Sequence, residues 1–305
     1  MRIFLTGATG YIGSAVLDAL LRANHQVTAL IRTPQAADAV AARGVTPVLG
    51  DLKSTKSYRA AVDGFDAYIH TAADSGAKRE EVDRKAIEML LSVAAAHAAK
   101  TGQSAFVYTS GIWVLGSNAQ PMTESAQTNP GQLLGWRPEH EHMVLQAAGN
   151  GLRTSVVRPG IVYGGNRGIV SELLKNALNG LIRVIGTGDN HWPLVYDRDL
   201  ADLYVRAATR PEAGGIYHAN DEADETVNML VEGIVRHFSI SPDVRHVPIA
   251  EGRKKFGAYA DALALDQIVR GPRARELGWS PTLHSVSANV PRLLEEFRRG
   301  QERAA

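Results

Sequence analysis

The sequence predicts an α/β fold, a doubly wound parallel sheet with a smaller C-terminal α/β lobe, and three observations predict it. Short apolar runs alternate with amphipathic stretches up to Pro159, the pattern of buried parallel strands joined by crossover helices. Three glycines, Gly7, Gly10 and Gly13, fall between the first apolar run and the first amphipathic stretch. Beyond Pro159 the segments shorten and gain glycine, as in VYGGNRG and IGTGDN. Residues 1–160 are therefore expected to form the sheet domain, completed by segments near 190–220, and residues 161–305 mainly the second lobe.

Taken in order, RIFLT (2–6) reads as a buried strand, and residues 11–24 as a helix with Ile12, Val16, Ala19 and Leu20 on one face. QVTALIR (26–32) is a second strand. Residues 34–44 form a helix that Gly44 closes, since glycine suits a left-handed cap. Residues 45–50, 66–72, 105–110 and 153–159 are further strands, and 79–100 is a long helix between two of them. In the second lobe, helices are expected near 227–238, in a short piece of 270–281 stopped by Gly278 and Pro281, and through SANVPRLLEEFRRG.

Composition narrows the function. With 33 basic against 32 acidic side chains, the formal charge is +1, so no field draws a nucleic acid or an anionic membrane surface. Cysteine is absent, which removes disulfides, thiolate catalysis and Cys-ligated zinc. No apolar run nears the roughly 20 residues of a membrane span, and the N-terminus lacks a signal-peptide pattern. The expectation is a cytoplasmic protein with a small-molecule substrate.

TGATGYIG (6–13) carries the strongest signal. The first glycine permits a tight turn, the second lets the backbone approach a pyrophosphate, and the third lets helix and strand pack closely. Its GxxGxxG spacing is weak alone, but here it follows a strand and opens a helix. A Rossmann dinucleotide site is the reading. At the end of the second strand stands LIRTP, with no acid from 26 to 37. A carboxylate there would bind a ribose 2′-hydroxyl, whereas an arginine accommodates a 2′-phosphate. Arg32 and Thr33 therefore favour NADP(H) over NAD(H), the alternative being a solvated surface arginine.

Several fragments together resemble the extended short-chain dehydrogenase/reductase superfamily, in its atypical, NAD-dependent epimerase/dehydratase-like form. They are TGATGYIG, GDL (50–52), HTAA (70–73), YTSG (108–111), VRPGIVYG (157–164), PLVYDRDLADLYV (193–205) and ARELGWSP (274–281). The resemblance implies that Gly7, Thr9, Gly10, Tyr11, Ile12 and Gly13 cradle the cofactor. It implies that Asp51 and Leu52 edge the adenine and that Thr71, Ala72 and Ala73 follow the cofactor backbone. Pro159, Gly160, Ile161 and Val162 would border the nicotinamide, Asp199 would be architectural, and a homodimer would form through helices 79–100 and 137–149.

Members of that superfamily carry a Ser/Thr and a Tyr-xxx-Lys pair for proton transfer and oxyanion binding. Laid on this pattern, the hydroxyl position falls at Gly111, just after Thr109 and Ser110, the tyrosine at Trp136 and the lysine at His140. None of the nine tyrosines has a lysine four residues on. Trp136 cannot transfer a proton as tyrosine does. An imidazole can, and it can also bond a ribose. His140 is thus the candidate for ribose binding or proton relay, with Ser110 or Thr109 at the oxyanion. His191 and Tyr196 are reserve donors.

Other readings of 134–149 stay open. Two histidines two apart do not share a helix face, and no HExxH spacing exists, so no metal is expected. Glu139, Glu141 and His142 read as a solvated first turn. Trp136 is either core packing or a substrate-pocket wall, and Gly111, Trp113 and Trp192 are further pocket candidates. The function read from the sequence is an NADP(H)-dependent oxidoreductase acting on a small carbonyl or alcohol. The alternatives are a non-catalytic NADPH-binding sensor or scaffold, and a redox-neutral epimerase or dehydratase. Arg183, Arg253 and Arg273 leave open a nucleotide-sugar clamp.

Overall fold

A computed structural model describes residues 1–239 and 241–302, so the last three residues of the expected second lobe lie outside it. The first half follows the alternation in the sequence. Strand β1 (Arg2–Thr6) leads into α1 (Tyr11–Arg22), β2 (Gln26–Ile31), α2 (Pro34–Ala41), β3 (Thr46–Leu49), β4 (Ala67–His70), α3 (Arg79–Thr101) and β5 (Ser104–Thr109). Then come β6 (Asn118–Met122), α4 (Arg137–Gln146), β7 (Leu152–Pro159), β8 (Ile161–Tyr163), α5 (Gly168–Leu178), β9 (Leu181–Ile185), β10 (Leu194–Tyr196), α6 (Asp197–Thr209) and β11 (Gly215–Ala219). The chain continues through α7 (Val227–Val235), β12 (Asp243–Val247), α8 (Ile249–Phe256), α9 (Ala258–Leu263), β13 (Gln267–Val269), α10 (Pro272–Glu276) and α11 (Val290–Glu302).

Seven parallel strands form the central sheet in the order β11-β7-β5-β4-β1-β2-β3. The order reverses at β1, so the loops after β1 and β4 splay apart and leave a crevice at the strands' carboxyl ends, where ligands of open α/β sheets bind. One face buries Val16, Leu17 and Leu20 of α1 with Leu200, Leu203 and Tyr204 of α6. The other buries Ile87 and Leu90 of α3 against Phe4, Tyr68 and Phe106. The parallel pairs β10-β8, β12-β9 and β13-β6 lie outside this sheet, and a third apolar cluster holds α5, α7 and α11 together.

Element ends differ from the sequence reading for local reasons. Helix α1 stops at Arg22, two residues early, because Asn24 turns left-handed with φ 57°. Helix α2 stops at Ala41, and the turn to β3 then closes through Gly44 at φ 80°. The 227–238 helix ends at Val235.

The lobes are joined by buried carboxylates. Asp199 accepts from the Thr282 amide (2.9 Å), the Thr282 hydroxyl (2.7 Å) and the Leu283 amide (3.1 Å), while Trp279 Nε1 donates to its carbonyl (2.7 Å). Asp221, just after β11, accepts from the Tyr163 hydroxyl and the Ala223 amide. Burial, aided by the nearby Glu225 charge, pushes its carboxyl up to about 7.

A carboxyl raised in the folded state binds a proton that the unfolded chain has already lost. Asp221 therefore costs stability progressively from about pH 4 to 7, and fully above 7. Asp221→Asn is expected to gain stability relative to wild type by up to about 4 kcal/mol at pH 8 and by little at pH 4. Urea unfolding at the two pH values checks it, and an equal difference at both would refute the assignment.

Candidate functional site

The crevice has two halves. The first is a cleft of about 280 Å³ lined by Gly7, Thr9, Gly10, Arg32, Thr33, Asp51, Leu52, Thr71, Ala72 and Ala73, together with Leu30, Ala36 and Asp74. Of the residues expected to cradle the cofactor, the first ten of these are brought together here, Tyr11 and Ile12 line the second half, and Gly13 lines neither. Gly7 adopts φ 79°, and a Cβ there would lie 2.7 Å from the Ala72 amide nitrogen. At Gly13, which lies behind the loop, a Cβ would lie 2.0 Å from the Gly7 carbonyl oxygen. Gly10 begins α1 with no side-chain cap, so the first-turn amides are left for an anion.

Arg32 is exposed and makes no ion pair among the described residues. The Thr33 hydroxyl caps α2, accepting from the Ala36 amide at 3.3 Å. Asp74 on the same rim pairs with Lys53 at 3.1 Å, and that hydrogen bond holds its carboxyl below the ordinary value. The rim therefore offers an unpaired guanidinium and a neutralised acid.

The second half is a cleft of about 290 Å³ lined by Tyr11, Ile12, Ser110, Gly111, Ile112, Trp113, Leu134, Arg137, Pro159, Gly160, Ile161, Val162, Gly168 and Ile169. Gly160 is tightly placed, since a Cβ would meet the Pro193 carbonyl oxygen at 2.4 Å. The wall is apolar apart from a few groups. Tyr11 donates its hydroxyl to the Gly164 carbonyl at 2.8 Å, and burial pushes that phenol well above its ordinary value. Ser110 Oγ is buried without a hydrogen-bond partner.

Several expected residues lie elsewhere. Thr109 is not on the wall, and its hydroxyl accepts from Tyr204 at 2.7 Å. His140 is fully buried in the packed layer behind the cleft, with Nδ1 2.8 Å from Asp83 Oδ2, so the expectation that it touches ribose or substrate is corrected. Asp83 also meets His70 Nε2 at 3.3 Å and accepts from the Tyr108 hydroxyl at 2.7 Å. Burial alone would raise Asp83, but the hydrogen bonds from His140 and His70 outweigh it and hold it well below the carboxylate range.

Trp136 precedes α4 and backs the site instead of lining it. Its ring centroid is 4.9 Å from that of His140, and the Arg137 guanidinium lies 4.6 Å over its face. Glu141 is not solvated: it is 3% exposed and forks onto Arg158, with Nε–Oε1 at 2.9 Å and Nη2–Oε2 at 2.5 Å. Glu139 and His142 are exposed as expected, Glu139 pairing with Arg84 at 2.9 Å.

The second lobe holds a separate cavity of about 770 Å³ that includes Trp192, Tyr259, Arg183, Lys254 and Lys255. Ile169 borders both it and the apolar cleft, and Trp113 packs edge-on to Tyr259 at 5.9 Å. Arg253 is tied to Asp261 and Arg273 to the Gly214 carbonyl, so the three arginines do not converge. His191 pairs with Asp266, and Tyr196 donates to Glu296; both lie outside the apolar cleft.

Sequence reasoning missed Arg137. Its Nη1 donates to the Thr109 carbonyl at 2.6 Å and to the Tyr108 hydroxyl at 3.0 Å, and it lines the cleft beside Ser110. A signal was present. A cation in a first helical turn opposes the helix dipole, which asks for a reason beyond the helix.

Comparisons with known proteins agree with this architecture. An uncharacterized protein of Schizosaccharomyces pombe is 33% identical over 294 residues, covering 94% of this chain and 96% of its own. A ketoreductase of Stigmatella aurantiaca, acting on 4-hydroxy-2-methyl-3-oxo-4-farnesyl-3,4-dihydroquinoline-1-oxide, is 26% identical, covering 83% of this chain and 78% of its own. The solved structure of MoeE5 in complex with UDP-glucose and NAD matches with TM-score 0.80 at 18% identity, over 99% of this chain and 100% of that one. At that identity the likeness is one of fold. The family model described as NAD dependent epimerase/dehydratase family matches residues 3–220, a span that takes in the glycine turn, both halves of the crevice and the strand that completes the sheet. The chain belongs to the NAD dependent epimerase/dehydratase family.

Proposed function

We propose that the protein is an NADP(H)-dependent oxidoreductase acting on a small carbonyl or alcohol with an apolar body. The observation that carries this reading is the paired crevice: an anion-ready glycine turn with Arg32 at one end, and an apolar cleft walled by Pro159–Val162 at the other. When bound, the cofactor supplies or accepts hydride at nicotinamide C4. The amides opening α1 would bind the pyrophosphate. Arg32 and Thr33 would take the 2′-phosphate. Ile12, Ile112, Trp113 and Ile161 would exclude water from the reacting carbon, and Ser110 would bond its oxygen. The ketoreductase relative supports the reaction class. MoeE5 holds NAD, so the phosphate preference rests on Arg32 and Thr33 alone.

NADPH deuterated at C4, incubated with the protein and a metabolite extract, is expected to yield a product heavier by one deuterium. NADPH binding without label transfer would sink the reductase reading. It would favour a nucleotide-bound sensor or scaffold, a reading supported by the lack of any Tyr-xxx-Lys pair. Interconversion of a substrate with no net NADPH loss would favour a redox-neutral epimerase or dehydratase.

Arg32→Ala is expected to weaken NADPH binding by about 10- to 100-fold, the worth of a charge-assisted contact, and to leave NADH binding within about twofold. Calorimetric titration of both dinucleotides checks it, and equal losses would remove Arg32 from the phosphate. The same reading includes a cytoplasmic homodimer packed through α3 and α4, which light scattering tests.

A further inference from the structure

We propose that Arg137, with Ser110 beside it, is the group that holds the carbonyl oxygen of the substrate, in place of a tyrosine acid. The inference rests on the reductase reading and names the part that reading leaves blank.

The geometry points to Arg137 in three ways. Among the described residues it is the one arginine or lysine that lines the apolar cleft. Its Nη1 is occupied by the Thr109 carbonyl and the Tyr108 hydroxyl, while Nε and Nη2 make no hydrogen bond among the described residues. Ser110 Oγ, buried and unpartnered, lines the same cleft one peptide on from that Thr109 carbonyl. A buried hydroxyl left without a partner is costly unless a ligand oxygen completes it, and half-buried Arg137 keeps two donor nitrogens free to meet the same oxygen.

The guanidinium is also held in place. Its Cζ lies over the Trp136 ring, 4.6 Å from the centroid. Behind Nη1 the Tyr108 hydroxyl passes the anchor to Asp83, which His70 and His140 fix from two sides. Two histidines, a tyrosine and a carboxylate thus serve to orient one cation, which makes Asp83 and Tyr108 positioning residues. Preorganised donors of this kind act where charge develops, and they need no rearrangement when it does.

The step balances without an acid side chain. As hydride and its electron pair reach the carbonyl carbon from the nicotinamide, the C=O π pair moves onto oxygen. Arg137 and Ser110 stabilise that alkoxide. A guanidinium does not give up its proton at working pH, so the alkoxide takes one from water, and the hydroxide left behind passes to the solvent buffer.

The test uses benzoate, a ring carrying an anionic oxygen, titrated calorimetrically into the NADPH-saturated protein. Wild type is expected to bind it, with an affinity flat from pH 6 to 9. Tyr108, Tyr204 and Asp83 stand around the guanidinium, and His70 and His140 stand behind it on Asp83; burial holds both phenols protonated across that range while Asp83 stays ionised. Arg137→Met is expected to weaken benzoate at least tenfold and Ser110→Ala severalfold, with NADPH affinity within twofold in both. Equal benzoate binding by wild type and Arg137→Met overturns the proposal, as does no binding by either. Binding that titrates away near pH 6.5 also overturns it, since a histidine would then be the cation. Failure of the wild type to bind NADPH, read before benzoate is added, is instead the failure of the cofactor reading.

Discussion

Glu141→Leu is expected to lower folding stability by about 3–5 kcal/mol, the usual cost of removing one member of a buried ion pair. Arg158 is 2% exposed, on β7, and Glu141 supplies both oxygens of its fork. Its remaining neighbour cannot take over. His218 Nε2 lies 3.3 Å from Arg158 Nη1, and burial, followed by the Arg158 charge, pushes that imidazole down to about 3. The loss is therefore of an uncompensated cation and not merely of a contact. The double variant Glu141→Leu/Arg158→Met is expected to recover most of the stability, because neither charge then stays buried. Urea unfolding measures both: the midpoint drops in the single variant with an unchanged slope, then returns in the double. A single variant within about 1 kcal/mol of wild type would contradict the buried-pair account.

The second large effect is at the glycine turn. Gly13→Ala places a methyl 2.0 Å from the Gly7 carbonyl oxygen and 2.5 Å from its carbon, both backbone atoms. No rotamer change relieves that, so the loop between β1 and α1 must move. Overpacking of this sort costs about 1–3 kcal/mol, and the displaced amides are expected to weaken NADPH more than tenfold. Gly111→Ala is the control within the same crevice. Its backbone is extended at φ −178° and nothing lies within 4 Å of a Cβ built there, so its melting temperature is expected to stay unchanged. Thermal melts of both variants, with NADPH titration of the Gly13 variant, decide the point.

These two cases also show what a single sequence discloses. The glycine turn was legible because its constraint is local: strand, three glycines and helix follow one another within thirteen residues. Glu141 was illegible because, read as a first-turn acid, it had a sufficient local explanation in the helix dipole, whereas the helix starts at Arg137 and its partner is 17 residues away on a strand. His140 was misread because alignment with a superfamily pattern gives a position and not a direction. The helix begins at Arg137 with Pro138 next, and this start sends His140 into the packed layer and leaves Arg137 at the cleft. The paired strands of the second lobe were invisible for another reason. β12 reads DVRHV, with exposed and half-buried residues intermixed, so no period-two signal exists to find.

Asp199 has a consequence for how the chain is made. Its partners at Thr282 and Leu283 lie 83 and 84 positions downstream. A ribosome releases the nucleotide-binding half long before it delivers the residues that satisfy this buried carboxylate. The start of α6 therefore cannot be covered as it is in the finished fold until Thr282 and Leu283 arrive, and that closure is a late event in biosynthesis.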